Sequence, residues 1–154
     1  MEKKIGSLEH VTGHTYDTIY DLLFTTERVI AVIIRHPNDT FHKIGLTGLL
    51  LGEGLAGGNT RFQRVKVAEE RRRDYQEKPL DDIVGSHRFN FEIRYNTITS
   101  VEITRGLFKP RLIFHVSRTS IPEHAVHFTL TKRQVSNAQN LIDLTLSSKI
   151  KERP

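Results

Sequence analysis

Residues 29–34 read Val-Ile-Ala-Val-Ile-Ile, six apolar side chains in a row, five of them β-branched. A strand sends successive side chains to opposite faces. A short run with no polar alternation therefore predicts a strand covered on both sides. It stops at Arg35-His36-Pro37-Asn38-Asp39, where proline and two turn formers end a strand. Residues 16–24 form a second apolar run just upstream, and the polar Thr25-Thr26-Glu27-Arg28 between them is a break of hairpin length.

A second strand-rich block begins at residue 89. Phe89, Phe91 and Ile93 alternate onto one face, and Ile98, Val101 and Ile103 follow after a Tyr95-Asn96-Thr97 turn. The phase slips once there, as at a bulge. Arg105-Gly106-Leu107-Phe108-Lys109-Pro110 links to a strand with Leu112, Phe114 and Val116 aligned. A polar loop over 117–123 and a last strand over 125–130, with Val126, Phe128 and Leu130 aligned, complete the block. Thr131 and Gln134 then have the spacing of a capping box, with Leu130 and Val135 placed as a hydrophobic staple. Val135, Ala138, Leu141, Ile142, Thr145 and Leu146 recur at helical spacing. An amphipathic helix after a meander of strands should dock on the open sheet, an α+β arrangement.

Between the two blocks, residues 36–87 form a long insertion in three parts. Residues 44–58 are glycine-rich and apolar. Residues 59–78 read as a charged helix with Phe62, Val65, Ala68 and Tyr75 as a thin apolar seam, and residues 79–84 as a short helix. At 154 residues the chain is expected to be a single domain.

Residues 21–32, Asp-Leu-Leu-Phe-Thr-Thr-Glu-Arg-Val-Ile-Ala-Val, resemble the opening hairpin of bacterial and archaeal pleckstrin-homology-like domains. Residues 91–103, Phe-Glu-Ile-Arg-Tyr-Asn-Thr-Ile-Thr-Ser-Val-Glu-Ile, are similar to an aromatic-rich strand followed by Ile-x-x-Val in the same family. The resemblance covers residues 16–35 and 88–150. It implies an antiparallel β-barrel of two nearly orthogonal sheets closed by a C-terminal helix, with a helical insertion between the second and third strands. It also implies a non-enzymatic module that binds lipids, peptides or proteins, or that self-associates.

Chemical signatures are weak. Gly52-Glu53-Gly54-Leu55-Ala56-Gly57 fits G-x-G-x-x-G, but no β-α alternation follows and Glu53 would stand beside a pyrophosphate. His115, His124 and His127 are the best metal set, yet only one face of a strand can serve and no carboxylate pattern completes it. No serine stands in a Gly-x-Ser-x-Gly elbow. With no cysteine, thiolate metal sites, disulfides and a cysteine nucleophile are excluded together. No catalytic residue, metal site or cofactor is assigned, and no small-molecule substrate is identified.

The insertion carries the candidate contact surface. Over 59–78, seven basic residues stand against four acidic ones, a net of +3. At about 1 kcal/mol per basic charge near an anionic leaflet this supplies roughly 3 kcal/mol, less than the roughly 4 kcal/mol of a millimolar complex. Leu49, Leu50, Leu51 and Leu55 could add roughly 1.5–3 kcal/mol each if buried. The reading is a non-enzymatic interaction module working through protein contacts or self-association. The alternative is a peripheral domain contacting anionic membrane through residues 44–78, with Arg61, Arg64, Arg71, Arg72 and Arg73 beside the leucines. Nucleic-acid binding through the same helix ranks third, because Glu69, Glu70 and Asp74 interrupt its charge and no aromatic platform accompanies it. The opening residues have charges but no apolar stretch behind them, so no signal peptide is expected. No window reaches the 18 apolar residues of a span. A cytoplasmic protein follows, peripheral at the membrane under the second reading.

Overall fold

A computed structural model of the chain describes residues 1–13, 18–37, 57–105, 107–118 and 121–150, the side chains of 57–64, 118 and 121–123 excepted. Seven antiparallel strands form one sheet: β1 (Lys4–Thr12), β2 (Ile19–Thr25), β3 (Arg28–Arg35), β4 (Phe91–Arg94), β5 (Ile98–Thr104), β6 (Arg111–Arg118) and β7 (Ile121–Thr129). Their order is β4-β3-β2-β1-β7-β6-β5. Among the described residues two helices, α1 (Gly57–Gln76) and α2 (Leu80–Gly85), lie between β3 and β4, and α3 (Gln134–Leu146) follows β7.

The uniform apolar run does what its pattern requires. Val29, Ala31 and Ile33 of β3 enter one core with Leu22 and Phe24 of β2, and α3 covers it with Ala138, Leu141, Ile142 and Leu146. Ile30, Val32 and Ile34 face the other way, with Leu23, and are covered by Ala68 and Tyr75 of α1 and Ile83 of α2. Val65, the other described member of the expected α1 seam, stays 52% exposed. Asn90 bolts α2 to the sheet: its Oδ1 accepts from Ile33 N at 2.8 Å and its Nδ2 donates to Ile83 O at 2.8 Å.

The sheet is not closed into a barrel. β4 and β5 are its ends, and among the described residues β1 meets β7 through the pair Thr12 and Thr129. The phase slip after Thr97 is a register shift between Ile98 and Ser100. The polar loop expected over 117–123 is shorter, because β6 continues to Arg118 and β7 begins at Ile121. The capping box is half made: Thr131 N donates to Gln134 Oε1 at 2.8 Å, while α3 starts at Gln134 with no side-chain cap.

β1 is the strand the pattern conceals. Its buried residues are Leu8 and Val11, three apart rather than two or four. Leu8 pairs with Leu22 and Val11 with Tyr20, so Glu9 and His10 together stand opposite Asp21. This is a β-bulge. His10 adopts φ 57°, a left-handed conformation rare for a residue with a side chain. One residue inserted in the strand erases its period of two.

Candidate binding surface and the buried charge clusters

The bulge turns the backbone N–H of His10 toward Asp21, whose side chain is fully buried on the α1 side of β2. Asp21 Oδ1 accepts from His10 N at 3.0 Å and from Arg72 Nη2 at 3.0 Å. Its Oδ2 accepts from Arg72 Nε and from the Tyr75 hydroxyl, both at 2.7 Å. A buried carboxylate is tolerated when its acceptor sites are filled this completely. The hydrogen bond to Asp21 outweighs burial and raises the Arg72 pKa. Burial first, and the Asp21 hydrogen bond second, hold the Tyr75 hydroxyl above the ordinary tyrosine range. The cluster ties α1 to β1 and β2.

Tyr75 has a pH consequence. Its folded pKa lies above its unfolded one, so its contribution is complete below about pH 10, the unfolded value. It is lost as pH rises toward the folded pKa, at about 1.4 kcal/mol per pH unit. Urea unfolding at rising alkaline pH should fall less steeply for Tyr75→Phe than for the parent chain. Parallel slopes would mean that Tyr75 ionises freely in the folded state.

A second cluster gathers on Arg28. Its guanidinium reaches Glu2 at 2.8 Å, Asp81 at 2.8 Å and the Glu92 carboxylate, and the Glu2 hydrogen bond leads the causes that raise its pKa. Burial alone would raise Glu92, but hydrogen bonds from Arg28 and Arg94 carry it below the ordinary carboxylate value. Glu2, Arg28, Asp81 and Arg94, with Glu27 and Asn96, line a concavity of about 320 Å³. Arg28 spends its donors inside the cluster, joining the segment before β1 to β3, β4 and α2.

The third feature is at the surface. The link between β5 and β6 presents Leu107 at 104% exposure and Phe108 at 85%. Arg105, Lys109 and Arg111 beside them in the chain, and Lys132 of the adjoining grooves, are all exposed, and none is held in an ion pair among the described residues. Two shallow grooves of about 470 and 490 Å³ flank Phe108. Lys132 lines both, Arg105 one and Lys109 the other, and no carboxylate among the described residues lines either. Pro110, whose carbonyl accepts from Leu130 N at 2.8 Å, pins the link against the end of β7. Burying Leu107 and Phe108 would be worth roughly 1.5–3 kcal/mol each.

No family model, curated protein or solved structure matches this chain. Its chemistry is therefore read from its own residues.

Of the residues expected from sequence to form a contact surface, only Arg71, Arg72 and Arg73 have described side chains. Leu49, Leu50, Leu51 and Leu55 lie outside the described residues, as does the G-x-G-x-x-G stretch up to residue 56. Arg61 and Arg64 fall in α1, but their side chains are not among those described. Arg72 turns inward to Asp21. Arg71 is half-buried, with Nη1 donating to Ile34 O at 3.3 Å, and Arg73 is exposed. The histidine set does not converge either. The β6–β7 register puts His115 and His127 on one face and His124 on the other, and no metal-holding group of three occurs among the described residues. No helix among the described residues is long and apolar enough to cross a membrane.

Sequence reading passed over Leu107 and Phe108 because a six-residue link between strands reads as connection. The signal was there: two large apolar residues side by side in a turn segment bounded by glycine and proline, with a cation on each side.

Proposed function

We propose that this chain is a non-catalytic binding module of pleckstrin-homology-like kind, and that it engages amphipathic anionic partners at the end of the sheet marked by Leu107 and Phe108. The exposure of those two side chains beside Arg105, Lys109, Arg111 and Lys132, none of them ion-paired among the described residues, carries the reading. Such a pair is uncommon on a soluble surface unless something covers it. The strand order with a C-terminal helix supports the family kinship in general form. The charged groups best suited to chemistry support a non-catalytic role, since Asp21 and Arg28 are engaged in holding elements together.

An apolar anion tests this directly. Anilinonaphthalene sulfonate should bind the folded chain with a rise in fluorescence. Phe108→Ser combined with Lys132→Gln should abolish most of that rise. Thermal unfolding should barely change, because exposed substitutions away from structural features stay within about 0.5 kcal/mol. Equal fluorescence from the double variant would place the binding elsewhere.

A further inference from the structure

We infer that the partner at this end is an anionic lipid bilayer, into whose interface Leu107 and Phe108 insert while the surrounding cations sit at the headgroups. The inference rests on the binding surface proposed above and names what covers it. The form of the surface decides between partners. Leu107 and Phe108 project from a link between two strands, almost wholly free of the protein. Two residues offer far less than the roughly 800 Å² per partner that a stable protein interface buries. Single-stranded nucleic acid would use Phe108 for stacking, but Leu107, the more exposed of the two, has no ring to stack. A bilayer uses both, since its acyl boundary accepts any apolar side chain and its anionic headgroups attract each nearby lysine and arginine.

Charge sorts in the same direction. Arg105, Lys109 and Arg111 flank the apolar pair along the chain, and Lys132 lines both adjoining grooves from the turn before α3. Glu2, Glu27 and Asp81 beside Arg28 line a different concavity that shares no described residue with these grooves. The molecule thus presents apolar tip and cations together, the two signals that a reversible membrane contact combines.

Flotation of the full chain with phosphatidylcholine vesicles, with and without phosphatidylserine, is the test. Partition is expected only with phosphatidylserine and should weaken as salt is raised. Phe108→Ser should lower it on the order of tenfold or more. Lys109→Gln and Lys132→Gln should each lower it about fivefold. Equal binding to both vesicle types, or full binding by Phe108→Ser, would overturn insertion at an anionic interface. If the parent chain fails to float but still binds the fluorescent anion through Phe108, the surface stands and the lipid assignment falls. Displacement of that probe by oligothymidylate, with no flotation, would reassign the surface to nucleic acid. Loss of both signals would overturn the surface itself.

Discussion

Replacing Asp21 with alanine is expected to destabilise the chain by about 3–5 kcal/mol, the range for breaking a buried ion pair from one side. For a domain of this size that corresponds to a fall in Tm of roughly 6–20 °C. The reason is what stays behind. Arg72 would keep its charge against the sheet, the Tyr75 hydroxyl would lose its acceptor, and the N–H of His10 would point at an empty site from a strained φ of 57°. Removing the opposite partner alone, Arg72→Met, should cost a similar amount, because Asp21 is fully buried. The triple change Asp21→Leu, Arg72→Met and Tyr75→Phe should restore most of the loss. An apolar replacement of a whole buried polar cluster is often neutral or better, and the coupling appears as non-additivity in the cycle. Denaturant unfolding of the four chains measures it. A single-substitution cost below about 1 kcal/mol would mean that Asp21 is hydrated and that α1 is held by Ala68 and Tyr75 packing instead.

That cluster also marks where sequence reading reached its limit. The hairpin of β2 and β3, covered on both faces, was legible because residues 29–34 have no polar position to expose. The strands from residue 89 onward and α3 were legible because their periods of two and 3.6 are nearly unbroken, and even the slip after Thr97 has a structural counterpart. β1 was not, since its bulge places Leu8 and Val11 out of phase, and a single residue in a left-handed conformation has no pattern of its own. Arg72 looked like part of a solvated basic helix because charge in one dimension does not reveal that a carboxylate 51 residues earlier faces it across the sheet. The same limit made Leu107 and Phe108 read as linker. Exposure is a property of the folded surface, and an apolar pair in a turn is as compatible with burial as with projection.

Phe128→Ala is expected to cost about 3–5 kcal/mol, the range for emptying a buried phenylalanine site, and to loosen one half of the sheet against the other. Phe128 is 1% exposed and stands in the middle of an aromatic group. Its ring centroid lies 6.1 Å from Tyr20 on β2, 6.2 Å from Phe91 on β4 and 6.3 Å from Phe114 on β6. The Phe91 ring is stacked, at 9°, and the other two are near perpendicular, at 77° and 80°, arrangements worth about 0.5–1.5 kcal/mol per pair beyond burial. The position matters more than the sum. Between β1 and β7 the backbone ladder holds one residue pair among the described residues, Thr12 with Thr129, so side chains carry much of the described contact between β4-β3-β2-β1 and β7-β6-β5. Phe128, on β7, reaches Tyr20 on β2 and Phe91 on β4 directly. Its loss should therefore show twice: as a lower unfolding midpoint, and as faster amide exchange in β5–β7 than in β2–β3 under native conditions. Phe128→Leu, which keeps apolar volume but not the ring geometry, should recover a large part of the midpoint. If Phe128→Ala lowers stability while exchange quickens evenly across all seven strands, the sheet opens as one unit and the division at β1–β7 has no energetic meaning.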